Sequence, residues 1–448
     1  MSKVFRPYHP NQSFLMPVSM QDWLSEGHLA YFISDLVDHL DLSAIMDQYK
    51  EDRGYPPYHP VMMVKVLLYA YCIGVPSSRK IARRLEEDIA FRVLAANNTP
   101  DFRTISDFRK DHLEELAALF VQVLKLCSRA GLVKLGHVSL DGTKVKANAS
   151  KHKAMSYKRM KEEELRLEAE VHDLLQKAQT VDEEEDRAYG KDKRGDELPQ
   201  ELALRQNRLK KIKEARAALE AEARIELEQR QNKGEKLSGV PEDKAQRNFT
   251  DPESRIMPLS GGKQFEQAYN AQVAVDSARQ IIVAAEVTDQ PTDRGQATPM
   301  MQQVKENIGK LPQEMSADAG YFSSNEVIKL TTAGIDVYIP PDKMHHTDRM
   351  SAAPRGRIPQ SLSIADRMRR KLKTKRGKGH YALRKELPEP VFGQIKQARG
   401  FRQFLLRGKK KVRAEWWIIC TGHNLLKLFG ASRSGLVGQG FWEELSSP

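Results

Sequence analysis

Apolar positions recur at helical spacing over the first part of the chain, residues 1–135. Two stretches show this pattern clearly, LAYFISDLVDHLDLSAIM and HPVMMVKVLLYAYCIGV, and the second reaches Gly74, a residue type that often ends helices. The next stretch, SSRKIARRLEEDIAFRVLAANN, opens on Ser77 and Ser78, which are candidate N-caps. The pattern predicts an all-α N-terminal domain.

From Gly136 onward apolar and polar residues alternate, as is typical of β-strands. HVSLDGTKVKANAS predicts a first strand, and further strands are predicted at 268–276, 280–288, 314–320 and 336–341. A short turn separates the second strand from the third, so these two should form a β-hairpin. Helical stretches alternate with the later strands. This order predicts an α/β fold, with the mixed sheet of an RNase H-like catalytic domain.

A charged segment, residues 156–247, separates the first strand from the others. Between positions 161 and 230 it holds 20 acidic and 15 basic residues. Two apolar stripes run through it, one formed by Leu165, Val171, Leu174 and Leu175 and the other by Leu202, Leu209, Ile212 and Leu219. We expect a long helical hairpin here, inserted into a catalytic domain that spans 136–155 and 248–430 and leaves 431–448 as a tail. The insertion is either a solvated spacer or a partner-binding arm, and the sequence favours neither.

Composition narrows the classes of partner. The net charge of +12 and the pI near 9.3 favour a polyanion. The three cysteines are widely separated, which argues against a disulfide framework or a zinc site and fits a reducing cytoplasm. The longest nearly apolar run, Val61–Val75, carries Lys65 and is too short to span a bilayer. We therefore expect a cytoplasmic protein with no membrane association, and nucleic acid as the polyanion.

Most of the positive charge lies in one C-terminal stretch. From Lys343 to Arg413 there are 22 Lys and Arg residues against 4 Asp and Glu, a net charge of +18 that exceeds the charge of the whole chain. A local excess of this kind is typical of phosphate-backbone contact. Lys409, Lys410 and Lys411 are candidate DNA contacts within this stretch.

The N-terminal helices also carry basic residues, and we expect these to be exposed: Arg79, Lys80, Arg83, Arg84, Arg103, Arg109 and Lys110. Short helices separated by tight turns favour a helix-turn-helix-like DNA-binding domain. An ordinary helical bundle with a solvated basic face explains the same pattern equally well. Arg103 and Thr104, near the start of a short helix after Pro100, are the candidates for base contacts.

Three carboxylates have positions that suggest metal-dependent chemistry. Asp141 lies within the first strand, Asp318 at the end of the fourth, and Glu389 near the start of a helix in the basic stretch. Adjacent central strands would bring the two aspartates together, where carboxylates could hold two Mg²⁺ (or Mn²⁺) ions about 3.5–4 Å apart for phosphoryl transfer.

Each residue alone has an ordinary interpretation, since Asp before Gly is common in turns and Glu beside Pro is common at helix starts. An aspartyl phosphatase would need a second Asp at position 139, where Ser139 stands. Three other aspartates near strand ends, which rank below this triad, are Asp276, Asp289 and Asp293.

Several segments together resemble a known family. They are YAYCIGVPSSRKIARRLEEDIAFR, PDFRTISDFRKDH, SLDGTKVKANAS, DPESRIMP, YNAQVAVD, SADAGYFS and YALRKELPEPVFGQIKQARGFRQFLLRGKKKVRAEW. In this order they resemble the DDE transposases of bacterial insertion sequences, in the group with a Tyr-Arg-Glu-Lys signature. The resemblance runs from Pro10 to Phe429, and the charged insertion matches least.

The resemblance implies that Asp141, Asp318 and Glu389 form the catalytic, metal-binding triad. Pro388 departs from the family pattern, in which an aliphatic residue is more usual, and it leaves the start of that helix open.

The resemblance further implies that Tyr381, Arg384 and Lys396 are the remaining signature residues. Arg384 suits bidentate phosphate contact, so it and Lys396 should hold the DNA strand beside the metals.

The family's reaction is hydrolysis of DNA at the ends of a mobile element, followed by transfer of the freed 3′-OH to target DNA. The resemblance implies terminal inverted repeats and target DNA as partners, a homodimer or higher oligomer, and a place at the bacterial nucleoid. Two rivals remain: another RNase H-like nuclease, and a transposase-derived DNA-binding protein with a decayed site. We also expect Trp416 and Trp417 to lie in a closing core helix and not to stack on DNA bases.

Overall fold

A computed structural model of the chain describes residues 19–49, 56–189, 200–231, 239–259, 264–342, 356–357, 359, 361–438 and 441. Parts of several predicted features lie outside these residues: positions 1–18 and 50–55 of the N-terminal domain, 190–199 and 232–238 of the helical insertion, 343–355, 358 and 360 of the basic stretch, and 439–440 and 442–448 of the tail.

The N-terminal part is helical. Its helices are α1 (Leu29–Asp38), α2 (Ser43–Met46), α3 (Pro60–Cys72), α4 (Ser78–Glu87), α5 (Ile89–Leu94), α6 (Phe102–Asp111) and α7 (Leu113–Arg129). α3 ends beside Gly74 as predicted. Gly74 has a φ of +77°, and a Cβ there would lie 2.3 Å from the carbonyl oxygen of Arg399, so the close contact and the backbone both require glycine.

The stretch from Ser78 to Leu94 forms two helices because Asp88 interrupts it. Asp88 has extended backbone angles and its carboxylate accepts the Ala90 N–H, so it begins α5 as an N-cap. One expectation about this region is wrong: Arg109 is buried, not exposed. Its guanidinium donates to the Pro76 carbonyl oxygen (2.6 Å) and to Ser78 Oγ (3.3 Å), which ties α6 to the turn before α4.

A six-stranded mixed sheet follows. Its strands are β1 (His137–Lys146), β4 (Arg255–Pro258), β5 (Phe265–Asp276), β6 (Ile282–Thr288), β7 (Glu314–Ser316) and β8 (Asp336–Tyr338). β1 is central, antiparallel to β5 and parallel to β7, and β8 continues the sheet parallel to β7. β4 and β6 both pair antiparallel with β5. The strand order is therefore β6-β5-β1-β7-β8. β4 pairs with the first residues of β5, and β6 pairs with the residues that follow them.

Two helices connect the later strands, α10 (Ala297–Ile308) between β6 and β7 and α11 (Ser324–Thr332) between β7 and β8. The alternation of helices and strands agrees with the predicted order. A separate two-stranded sheet pairs β2 (Ala154–Ser156) with β3 (Gln246–Asn248). The sequence predicts neither this small sheet nor β4. β7 and β8 are equally short, but buried Ala317 and Ile339 follow them directly and lengthen the pattern that predicts them.

The charged segment forms two long helices, α8 (Tyr157–Tyr189) and α9 (Gln200–Gln231), which pack against each other. On α8, Glu164 pairs with Arg216 of α9 (2.7 Å), and Glu170, further along α8, pairs with Arg205, which comes earlier in α9 (2.8 Å). The helices are therefore antiparallel. The stripe on α8 differs from the predicted one: Leu165 is 70% exposed. Met160 and Leu167 are buried in its place. Glu164 is buried beside them, and its charge is tolerated because it is paired with Arg216.

The C-terminal part forms α12 (Ile364–Lys373), α13 (Lys375–Glu386), α14 (Pro388–Gly393) with a π-helical continuation (Gln394–Ala398), and α15 (Lys409–Arg433). α15 packs on α3, α7 and β6, so the N-terminal helices and the sheet share one hydrophobic core.

Trp416 is fully buried and Trp417 half-buried in α15. Their indole N–H groups donate to the carbonyl oxygens of Gln272 (3.1 Å) and Ala285 (2.7 Å), which confirms the predicted core role. The three cysteines are free and buried. Among the described residues, no helix is both long and apolar enough to cross a membrane.

Candidate active site

Asp141 lies within β1, and Asp318 follows the end of β7, the parallel neighbour of β1. The register of β1 and β7 pairs Ser139 with Ser316, and each aspartate lies two residues further along. The charge of Asp318 acts on Asp141, so the two carboxylates lie near each other. Asp318 also accepts the Gly320 N–H (2.8 Å) and so begins the short turn Ala319–Tyr321.

Asp293, in the loop after β6, joins these two aspartates. Its Oδ1 accepts hydrogen bonds from Asn270 Nδ2 (2.6 Å) and Gln272 Nε2 (2.7 Å) on β5, and Lys144 Nζ on β1 lies 3.7 Å away. The sequence analysis ranks this residue below the triad. A signal was present in the pair Asn270 and Gln272, two buried polar side chains on one face of an otherwise apolar strand, which require polar partners.

Close packing explains why a glycine, Gly142, follows Asp141. A Cβ at this position would lie 2.3 Å from Gln272 Nε2, 2.7 Å from Asp293 Oδ1 and 2.9 Å from Asn270 Oδ1. These side chains are held together by hydrogen bonds and cannot move apart freely. The glycine is therefore needed for space.

The electrostatics of the site affect Asp141 most strongly. Burial raises the pKa of Asp141 to about 7, and the charges of Asp318 and Asp293 add to this effect. The Gly142 N–H and the positive charge of Arg384 oppose it. Three carboxylates thus repel one another in a half-buried position.

Glu389 lies in the first turn of α14, a helix that packs against β1. Pro388, which departs from the family pattern, is the first residue of this helix. Glu389 therefore lies near a helix start, as the sequence predicts. The Glu389 side chain is exposed and, among the described residues, makes no hydrogen bond or ion pair. Among the described residues, neither Glu389 nor Asp293 offers, together with Asp141 and Asp318, a set of ligand atoms that all lie within 4.8 Å of one another.

The three other signature residues lie on the same C-terminal helices. The Arg384 guanidinium is 5.6 Å from the centre of the Tyr381 ring, and its buried Nε makes no hydrogen bond among the described residues. Lys396 Nζ donates to Thr143 Oγ1 and to the Lys144 carbonyl oxygen, both at 2.6 Å, which joins the π-helical segment to β1. Burial, with nearby Lys144 and Arg402, lowers the pKa of Lys396 to about 8.

A second cluster lies at the start of the same strands. In the part of the chain that the structure describes, one set of three potential ligand side chains has all its ligand atoms within 4.8 Å: His137, Glu314 and His380. The two imidazole rings are nearly parallel, with centroids 5.6 Å apart, and Glu314 is already paired with Arg376 (2.6 Å). We interpret this cluster as a structural clamp, because stacked rings and an adjacent guanidinium fit a metal ion poorly.

The candidate DNA contacts lie apart from the carboxylates. Arg103 is exposed and Thr104 half-buried at the start of α6, where Asp101 accepts the N–H groups of both residues (2.7 and 2.8 Å). At the start of α15, Lys409 is paired with Asp289 (2.9 Å) and Lys410 with Glu114, whereas Lys411 is exposed.

The aspartates suit a hard divalent cation. All their candidate ligand atoms are carboxylate oxygens, which Mg²⁺ and Mn²⁺ prefer, and a cation would offset both the burial and the repulsion that raise the pKa of Asp141. A mixed α/β protein with one aspartate within a central strand, another just after the neighbouring parallel strand, and strongly basic helices beside them is suited to processing nucleic acid.

Comparison with known families gives two matches. A transposase domain (DUF772) matches residues 18–111, and a transposase DDE domain matches residues 351–429. No curated protein and no solved structure is significantly similar to the chain. Both matches are to transposase domains, and together they support a DDE transposase of the insertion-sequence type. This family implies DNA as partner and the use of divalent metal.

Proposed function

We propose that this transposase cleaves DNA at the ends of its insertion sequence and joins the freed 3′ ends to target DNA, with Asp141, Asp318 and Glu389 as its triad. The observation that carries the proposal is that Asp141 in β1 and Asp318, just after the neighbouring parallel strand β7, each lie two residues beyond the Ser139–Ser316 pair. The strand order β6-β5-β1-β7-β8, with β7 and β8 parallel to β1, supports an RNase H-like sheet. It does so because β6, β5 and β1 are successively antiparallel, whereas β1, β7 and β8 are mutually parallel.

The residues would divide the work of in-line phosphoryl transfer. Asp141 and Asp318 would hold two Mg²⁺ or Mn²⁺ ions, with Glu389 as a further ligand from α14. Bound metal would activate the nucleophilic oxygen and stabilise the leaving oxygen. Glu389 is the weakest member by geometry, and two facts support it: α14 packs against β1, and the helix starts at Pro388, which places Glu389 in its first turn.

Positive charge around the carboxylates would position the DNA strand. Arg384 lies close enough to Asp141 to affect its pKa, and its buried Nε lacks a partner among the described residues, so its guanidinium is available to a phosphate. Lys396 would act mainly through β1, since its ammonium group is held by Thr143 and Lys144. With Tyr381, these residues support membership of the group with the Tyr-Arg-Glu-Lys signature.

The wider assignment follows from the family. We infer an assembly of two or more copies on paired inverted repeats, acting at the nucleoid. In this proposal the helices of residues 1–135 read the element's ends. The α8–α9 hairpin remains open as a spacer or as a partner-binding arm.

Cleavage of DNA that carries the element's own ends tests the proposal. The full-length protein with Mg²⁺ or Mn²⁺ should nick this DNA and join it to a target plasmid. Asp141→Asn, Asp318→Asn and Glu389→Gln should each abolish cleavage and leave binding to terminal DNA nearly intact, because they remove ligands and not phosphate contacts.

The same assay separates the rivals. Cleavage without joining would favour a nuclease, and binding without cleavage would favour a decayed transposase. Asp318→Asn protein that retains a tenth of wild-type cleavage would remove Asp318 from the triad.

A further inference from the structure

Asp293 has two carboxylate oxygens in different surroundings. Oδ1 accepts hydrogen bonds from Asn270 and Gln272 and lies 3.7 Å from Lys144 Nζ. Oδ2 has no hydrogen-bond or ion-pair partner among the described residues. One oxygen thus fixes the side chain and the other is free to bind something else.

The free oxygen faces the same space as Asp318. Measured from the point that a Cβ on Gly320 would occupy, Asp293 Oδ2 is 3.4 Å away and Asp318 Oδ1 is 3.0 Å away. On the other side, the Cβ position of Gly142 is 2.7 Å from Asp293 Oδ1. Gly142 therefore provides the space that the Asp293 carboxylate occupies, because a side chain there would collide with it, and at Gly320 even a Cβ would be in contact with it.

We propose that Asp293 is a further carboxylate ligand of the metal centre, beside Asp318. The proposal rests on the proposed function, since it takes the two aspartates as metal ligands. A monodentate ligand needs one free oxygen and a side chain fixed by outer hydrogen bonds, and Asp293 has both.

A purely structural role explains less. A hydrogen-bond acceptor for Asn270 and Gln272 could be a neutral amide, and it would not add a third negative charge to a half-buried pair of aspartates. Lys144 offsets one of these charges at most. Asn270 Oδ1, buried without a hydrogen-bond partner and 2.9 Å from the Cβ position of Gly142, shows that the same space contains a further unused oxygen. A divalent cation would suit this oxygen-rich space.

Metal binding in the absence of DNA tests the proposal without relying on activity. Mn²⁺ would be titrated into the full-length protein and the free ion followed by electron paramagnetic resonance. Asp293→Asn keeps an acceptor for Asn270 and Gln272 but removes the charge, and it should weaken Mn²⁺ binding at least about tenfold. Asp293→Glu, which keeps the charge, should retain part of the affinity. Asp173→Asn, an exposed aspartate on α8, is the matched control and should bind Mn²⁺ like wild type.

The outcomes are distinguishable. If Asp293→Asn binds Mn²⁺ like wild type while Asp318→Asn binds weakly, Asp293 is not a ligand and the proposed function stands. If Asp141→Asn, Asp318→Asn and Asp293→Asn all bind like wild type, the metal centre itself is misplaced. Should Asp293→Asn fold poorly by melting temperature, the Asp293→Glu protein decides. Because the added methylene displaces the carboxylate, Mn²⁺ binding equal to that of wild type, with a wild-type melting temperature, would overturn the proposal.

Discussion

Asp141 links the stability of the protein to pH and metal. Burial, with the charges of Asp318 and Asp293, raises its pKa from 3.8 to about 7. A carboxyl group whose pKa is higher in the folded state than in the unfolded state stabilises the fold fully below the unfolded value. That contribution disappears as pH rises through the folded value. Without metal, the fold should therefore become less stable between about pH 4 and pH 7.

The measurement is a set of melting temperatures in EDTA and in Mg²⁺. In EDTA, Asp141→Asn should be less sensitive than wild type to a rise from pH 4 to pH 8, because the amide does not titrate. Mg²⁺ should raise the melting temperature of wild type more at pH 8 than at pH 5, since the ion competes with the proton on Asp141. Equal Mg²⁺ effects at the two pH values would argue that Asp141 does not bind the ion.

At the scale of elements, two contacts of Glu314 hold α13 against the sheet. Glu314 at the start of β7 lies 2.6 Å from Arg376 and 2.7 Å from His380, both on α13, and 3.4 Å from His137 on β1. Burial raises the pKa of Glu314, but its cationic and hydrogen-bonding partners together lower it below 4.5. Because α13 also carries Tyr381 and Arg384, this clamp positions the helix beside Asp141.

Replacing Glu314 by Gln should therefore loosen α13. We expect a decrease of about 1–2 kcal/mol in the free energy of unfolding at neutral pH, and a lower rate of DNA cleavage with Mn²⁺ affinity unchanged. The stability difference should shrink as pH falls below 4.5, because a carboxylate with a lowered pKa no longer contributes once it is protonated. Glu306→Gln, an exposed glutamate on α10, serves as the control. A pH-independent difference in denaturant melts would contradict the clamp.

The elements also show what the sequence could predict. The long strands β1, β5 and β6 and the helices α3 and α15 are predictable because each has enough residues to show a clear period. β2, β3 and β4 have three or four residues each and show none, whereas the equally short β7 and β8 are recognisable because buried apolar residues follow them directly. Asp141 and Asp318 are recognisable because strand order alone makes them neighbours.

Asp293 is not recognisable in the same way. It lies in a loop, and its place beside Gly142 depends on how that loop folds over β5. Local sequence says little about such a contact. The exposed side chain of Glu389 and the buried one of Arg109 likewise depend on helix packing, which periodicity does not specify in detail.

At the scale of the whole molecule, several side chains of the basic stretch are already paired with carboxylates. Arg369 pairs with Asp342 and Asp366, Lys409 with Asp289, and Lys410 with Glu114. These pairs are mostly exposed and individually weak, so DNA phosphates can replace the carboxylates at small cost.

Replacing Lys409, Lys410 and Lys411 by Ala should weaken binding to all duplexes alike. Removing one phosphate-binding side chain should flatten the plot of log affinity against log salt by about 0.9. Lys158, Lys210 and Lys211, exposed on α8 and α9, form a control triple with the same change in charge. An equal change of slope in both triples would show that general charge, and not the start of α15, sets the DNA affinity.

Recognition of the element's ends needs contacts that carry sequence information, which phosphate contacts lack. α4 and α6 pack together in the N-terminal part of the molecule, and the start of α6 presents exposed Arg103 beside the Phe102 ring, which Arg79 also approaches. This arrangement suits insertion of the start of α6 into a DNA groove. Because α3 and α7 share a core with α15, the test uses the full-length chain.

Arg103→Ala should therefore lower the preference for terminal repeat over scrambled DNA by about tenfold, which is the effect of removing one base-specific interaction of about 1–3 kcal/mol. Lys110→Ala removes the same charge from the other end of α6, where the side chain is also exposed, and should weaken both DNAs equally. Competition binding at fixed salt gives the ratio directly. If Arg103→Ala also weakens both DNAs equally, α6 contacts only phosphates, and the N-terminal helices would serve to assemble copies of the chain while the ends are read elsewhere.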